Sequence, residues 1–187
     1  MTLIIIIVVV VVLVLWGISV QNRLVKQDEF CNNSLKQINV QQMSRFDALQ
    51  TAVNIAREEA EVEGENFEKI IAQRKIATSG KPTVAEVNAN EKTLGQLASR
   101  LIAVAEQYPE LKGTQGYQDA MHKYFEFEEN VRLSRMTFND SVTNYNRDVR
   151  AFPGSVVAAL LKFPVREYLA ENTSKADIPE DLFPRKK

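Results

Sequence analysis

A single cysteine and a single histidine in 187 residues leave no material for a disulfide framework or for a zinc site made from the side chains of one chain. An excess of one charge is missing as well. The 23 lysines and arginines nearly balance the 24 aspartates and glutamates, which argues against the basic footprint of a nucleic-acid-binding protein. No serine with a neighbouring base, no glycine-rich phosphate loop and no paired-carboxylate cleft can be proposed, so no enzyme, cofactor or metal is expected. Charge is also absent from the start of the chain, where no Lys, Arg, Asp or Glu precedes Arg23. In its place Leu3 to Val20 form an aliphatic run broken only by Gly17 and Ser19, with Trp16 near its end.

Eighteen residues at about 1.5 Å each give ~27 Å, close to the ~30 Å of hydrocarbon that a spanning helix must cross. Ile and Val are poor in a solvated helix, but in lipid every backbone group must be satisfied within the segment, so the helix prevails. Trp16 then falls near an interface, where an indole is well placed. A cleavable signal peptide is the rival reading and fits poorly: no cation precedes the run, the run exceeds a usual apolar core, and no Ala-x-Ala follows. Cys31 is no lipid-attachment site either, because Asp28, Glu29 and Phe30 precede it. Residues 1–22 therefore read as an anchor touching membrane lipid through residues 3–20. Arg23 and Lys26 follow the run with no cation before it, which predicts a single-pass inner- or plasma-membrane protein, N-terminus out and body cytoplasmic.

Beyond the anchor the pattern is helical. Between Gln21 and Thr78 there is no proline and one glycine, Gly64, while Cys31, Leu35, Ile38, Phe46, Leu49, Val53, Ala56, Ala60, Phe67 and Ile71 recur in steps built from three and four. Ser79, Gly80, Lys81 and Pro82 stop this helix, and Thr83 with Glu86 makes a capping box that opens a second through Val87, Leu94, Leu101 and Val104 to Tyr108 and Pro109. In the third, Tyr117, Met121, Tyr124, Glu128, Val131, Arg135, Phe138, Val142, Tyr145, Val149 and Phe152 alternate steps of four and three, a coiled-coil-like seam. Pro153 and Gly154 end it, and Ser155 is placed to cap a short apolar segment, Val156 to Leu161. No alternating run proposes a sheet. The expected fold is all-α: an N-terminal single transmembrane helix, then an antiparallel bundle of long helices over residues 23–170, then a loose tail over 171–187.

The helix lengths do not match. If the first helix continues to Thr78, its 58 residues after the anchor extend ~87 Å, whereas the second returns only ~37 Å. Leu24, Val25, Leu35 and Ile38 are then left uncovered, which predicts a stalk that self-associates or meets another membrane protein. A break at Gly64 is the alternative, giving three nearly equal helices and a self-sufficient bundle.

Ala105, Glu106, Gln107, Tyr108, Pro109, Glu110 and Leu111 resemble the Ala-Glu-x-Tyr-Pro-x-Leu signature of the LemA family. Glu129 and Asn130, Arg135, Phe138 to Asp140, Tyr145 and Asn146, and Phe152 and Pro153 are similar in order to that family's Glu-Asn, Arg, Tyr-Asn, Tyr-Asn and Phe-Pro positions. Phe138 stands where the family usually has Tyr, and Ser44 to Leu49 keep only part of its Arg-Arg-x-Asp-Leu stretch, without Pro-Asn. The resemblance implies a single-span bacterial membrane protein with a helical domain and no established activity.

Four residues are singled out as interaction or register residues. Glu128 and Arg135 occupy seam positions where apolar residues pack better, so each needs a partner on another helix; Asp47, Arg45, Arg74, Arg100 and Glu106 are available. An interhelical pair that fixes register is the plain reading, binding the other. Asn139 and Asn146 follow seam aromatics and should hydrogen-bond a neighbouring segment, in the plain case the chain after Pro153. His122 reads as solvated, Cys31 as a small hydrophobe, and Glu58, Glu59, Glu61, Glu63 and Glu65 as a solvated face. The expected function is a membrane-anchored scaffold or adaptor presenting a rigid helix surface, with a regulatory or substrate-presenting subunit of a membrane enzyme, such as a membrane-embedded protease, as the second reading. A homo-oligomer or another membrane protein is the expected partner. A membrane-shaping coat is the third reading, disfavoured by the balanced charge.

Overall fold

A computed structural model of the chain describes residues 1–60, 65–72 and 81–170, the side chains of residues 60, 65, 66 and 70 excepted. It contains α1 (Thr2–Ala60), α2 (Glu65–Ile71), α3 (Val84–Gln107), α4 (Pro109–Gly113), α5 (Gln115–Arg150) and α6 (Gly154–Leu161), with no strand among the described residues. The questions of a break at Gly64, the stop at Ser79 and Gly80, the side chains of Glu61, Glu63, Glu65 and Arg74, and the form of the 171–187 tail lie outside what is described.

Local chemistry sets the ends. Thr83 Oγ1 accepts the Glu86 N–H at 3.2 Å and the Glu86 carboxylate accepts the Thr83 N–H at 2.8 Å, so the capping box opens α3 where expected. Tyr108 closes α3, and Pro109, which has no N–H to satisfy, sits in the first turn of α4. One expectation fails: Ser155 is not the cap of α6, because Pro153 holds that position and Ser155 lies inside the helix, its N–H donating to Ala151 O at 2.9 Å. Gly154 is required here, since a Cβ on it would lie 2.4 Å from the Asp148 carbonyl oxygen.

The chain packs as two units. The first comprises Met1–Ser34 with Met136–Tyr168, the second Leu35–Arg135 with Leu169–Lys187, and α1 and α5 each contribute to both. In the first unit Leu3 to Leu15 are all exposed and the helix they belong to is long and apolar enough to cross a membrane. Burial begins at Val20 and continues through Leu24 and Cys31. Opposite them lies α5, antiparallel: Ser141 Oγ donates to Cys31 Sγ at 3.3 Å, and seven residues later Asp148 accepts from Gln27 Nε2 at 2.9 Å and pairs with Arg23 at 3.2 Å. In the second unit Phe46, Leu49, Val53 and Ala56 of α1 join Phe67, Leu94, Leu97, Leu101, Leu111, Tyr117, Met121 and Tyr124 in one core.

This arrangement overturns the uncovered stalk. Leu24, Leu35 and Ile38 are buried within the chain, and only Val25 of the four is exposed. Helix lengths alone send the third long helix away from the membrane; α5 instead returns alongside α1 as far as Arg23. The seam of α5 is buried from Tyr117 to Val149 with Glu128 half-buried, but Phe152 falls past the helix end at Arg150 and is 83% exposed.

Candidate functional site

The densest polar cluster lies inside the second unit, on three helices. The buried stripe of α1 runs Ile38, Gln42, Arg45, Leu49 in steps of four, three and four, and that of α3 runs Val87, Glu91, Leu94, Ala98. Helical periodicity therefore drives Gln42, Arg45 and Glu91 inward together with their apolar neighbours. Arg45 is 1% exposed and Glu91 9%. The guanidinium donates through Nη1 to Glu91 Oε1 at 2.8 Å and through Nη2 to the Tyr124 hydroxyl at 3.0 Å, and its Cζ lies 4.9 Å from the centre of the Tyr124 ring. Gln42 Nε2 donates to the other Glu91 oxygen at 2.9 Å and to Val87 O at 3.0 Å.

Glu128 reaches this cluster from α5. Its Oε1 lies 3.8 Å from Arg45 Nη2, while the side chain keeps 28% of its exposure. Burial opposes the Arg45 cation, but the oxygens of Tyr124, Glu91 and Glu128 outweigh it and hold the guanidinium pKa above its ordinary value. Burial pushes the Glu128 carboxyl up, an effect that Arg45 reduces and that Glu91 and Glu129 reinforce. Tyr124 is likewise raised by burial, and the nearby Tyr117 hydroxyl, buried without a hydrogen-bond partner, is pushed up to about 12. The arrangement is chemically closed: one cation neutralised by carboxylates on two other helices.

Arg135 lies within electrostatic reach of the same cluster, where Glu91 favours its charge and Arg45 opposes it. Its Nη2 donates to the Ala170 carbonyl and to Asn88 Oδ1 at 3.4 Å, and burial lowers its pKa. None of the acidic residues named as candidates for it holds it. Asn139 is half-buried, and its carbonyl accepts Thr143 Oγ1 at 2.9 Å.

In the first unit Asn146 reads the backbone of the segment after α6. Its Nδ2 donates to Arg166 O and its Oδ1 accepts the Arg166 N–H, both at 2.9 Å. Tyr145 donates to Pro164 O at 2.9 Å, and the Arg166 side chain donates to Asp28 at 2.7 Å and to Asn32 at 2.8 Å. An extended segment is thereby laced to both α1 and α5. Between α1 and α5 an open groove of about 750 Å³ is lined by Lys26, Glu29, Phe30, Asn33, Asp140 and Arg147, among others, with charges of both signs.

Sequence reasoning named Arg45 as a partner for Glu128 and missed Gln42, Glu91, Asp28 and Arg166. The signal for Gln42 and Glu91 was present, since both occupy stripe positions. None existed for Asp28 with Arg166, which are 138 residues apart.

The sequence model of the LemA family matches residues 34–182. Magnetosome proteins MamQ 1 and MamQ 2 of Paramagnetospirillum magneticum and magnetosome protein MamQ of Magnetospirillum gryphiswaldense are each 30% identical over 77 residues, which make up 41% of this chain. The match spans only 28% of the length of each of these relatives. The exposed apolar stretch of α1, long and apolar enough to cross a membrane, is the feature that points to membrane association.

Proposed function

We propose, from the premise that this chain belongs to the LemA family, that it is a membrane-anchored helical adaptor without catalysis of its own, whose body faces the cytoplasm and binds a second membrane-resident protein. One observation carries the reading. Burial of α1 begins at Val20, where the exposed apolar run ends, and the Arg23–Asp148, Gln27–Asp148 and Asp28–Arg166 contacts close the first unit within the next few residues. A folded surface therefore stands directly at the membrane and not at the end of a free stalk. The polar groups in the core of the second unit are turned toward one another, which suits register fixing; the surface is left to do the binding.

The groove beside Phe30 is the first place to look. A photocrosslinking residue at Asn33 or Asn144, both exposed and lining that groove, would be introduced into the tagged full-length protein in intact cells. One membrane protein recovered in near-equal amount supports the adaptor, and a membrane enzyme so recovered makes the chain its subunit. Ladders of the protein alone point to self-assembly instead. Protease added outside intact cells tests the orientation: loss of a C-terminal tag would refute a cytoplasmic body.

A further inference from the structure

We infer that the turn at Phe152 and helix α6 form a second membrane contact, resting in the headgroup region of the same bilayer that α1 enters; this rests on the reading of α1 as a membrane span. Within the first unit α5 descends antiparallel to α1, and its last turn is fixed level with the end of the apolar run, because Asp148 holds both Arg23 and Gln27. Arg23 lies three residues past Val20, about 4.5 Å along the helix. The chain that leaves α6 is tied to the same end of α1, with Arg166 on Asp28 and Asn32, five residues (~7.5 Å) further along the helix than the Asp148 contacts. Everything between these two clamps is therefore held at the membrane-facing end of the unit. Gly154 confirms the proximity of α6, packing so closely on Asp148 O that a Cβ does not fit.

The side chains presented there are apolar. α6 buries Val157 and Ala158, yet Phe152 is 83%, Val156 48%, Leu160 76% and Leu161 47% exposed. In water these residues would form a greasy patch with nothing over it; next to the span, the bilayer itself covers them. Arg150 and Lys162 bracket the patch and are exposed, where cations meet headgroup phosphates while their stems lie along apolar surface. An eight-residue helix of this kind sinks only to the headgroup and acyl boundary, about 5–10 Å in depth. Contact at two points would fix the tilt and rotation of the anchored body, which a lone span leaves free.

Trp16 is the sole tryptophan, so fluorescence can be moved from site to site. Full-length protein would be reconstituted in vesicles of phosphatidylcholine and phosphatidylglycerol, with acyl-brominated phosphatidylcholine as quencher. Trp16→Phe combined with Phe152→Trp, and separately with Leu160→Trp, places the indole on the patch at two exposed positions. The expected result is blue-shifted emission that loses most of its intensity to brominated lipid at both sites. Trp16→Phe with Met136→Trp, twelve residues before Asp148 on α5 and about 18 Å along it, should keep its emission. Emission at the water-exposed wavelength at positions 152 and 160 would overturn the inference, and so would a blue shift without quenching, which means that protein covers the patch. Lack of quenching of Trp16 in the unaltered protein would instead remove the span itself.

Discussion

Arg45 is a residue whose removal the structure makes costly. Replacing it by Met keeps the stem volume but takes the cation from Glu91, a carboxylate 9% exposed whose Oε1 accepts from the Arg45 guanidinium, 2.8 Å away. Breaking a buried ion pair on one side costs about 3–5 kcal/mol, because the orphaned charge stays desolvated. For a chain of this size 1 kcal/mol moves the melting point by about 2–4 °C, so Arg45→Met should melt roughly 6–20 °C lower. Adding Glu91→Leu removes the carboxylate that has lost this cation, and that also accepts from Gln42 Nε2 at 2.9 Å and acts on Arg135. The double variant should regain most of the loss, since an ion pair replaced on both sides by apolar residues is commonly neutral; Gln42 keeps its bond to Val87 O, and Glu128 retains access to water. The assay is far-ultraviolet circular dichroism of full-length protein in detergent micelles, heated at pH 7. If Arg45→Met melts within about 2 °C of the parent, or if Glu91→Leu fails to rescue it, the cluster does not hold the three helices in the way described.

Glu128 sets a pH dependence of definite sign. Its pKa is raised on folding, chiefly by burial, so the native state binds the proton more tightly and stability falls as pH rises from the ordinary glutamate value through the raised one. Glu128→Gln should abolish that fall and melt at least as high as the parent at pH 8, whereas a parent that gains stability relative to it with rising pH would contradict the assignment. Asn146→Ala deletes both bonds to Arg166 and should cost about 1–3 kcal/mol, and Asn146→Asp, which keeps the acceptor but turns a charged oxygen toward the Arg166 carbonyl, should not recover the loss; limited proteolysis of residues 163–170 reads the same loss as faster cleavage. Gly154→Ala should lower the melting point, because the added methyl meets the backbone oxygen of Asp148 and cannot be relieved by rotating a side chain; an unchanged melting point would show that α6 does not sit so close.

Much of this architecture could be read from spacing. The capping box at Thr83, the stop at Tyr108 and Pro109, and the seam of α5 from Tyr117 to Val149 are local signals, each decided within one or two helical turns. Register between helices is a different kind of information. Gln42, Arg45 and Glu91 each lie on a buried stripe, but only the meeting of α1, α3 and α5 makes them one cluster, and nothing along a single helix says which cation will face which carboxylate. Asn146 shows the middle case, where a polar residue in mid-helix announces a bond and leaves its partner, the Arg166 backbone, unspecified.

The failure of the stalk argument has the same physical root. Helix length alone decides how far a segment reaches, and direction was assigned by assuming that successive long helices alternate up and down from the membrane. Direction is in fact settled by contacts that are remote in sequence: Cys31 with Ser141, Gln27 with Asp148, Asp28 with Arg166. Once α5 is known to descend to Arg23, the apolar residues after it acquire a location as well as a hydropathy. Phe152, Val156, Leu160 and Leu161 read in sequence as the end of a seam and a short apolar segment; held between the Asp148 and Arg166 clamps, they are exposed surface. The same four side chains can stabilise a core or a membrane contact equally well, because burial of apolar area is indifferent to what does the burying. Only the long-range clamps distinguish the two, by tying the patch to the end of the unit where the exposed apolar run of α1 begins.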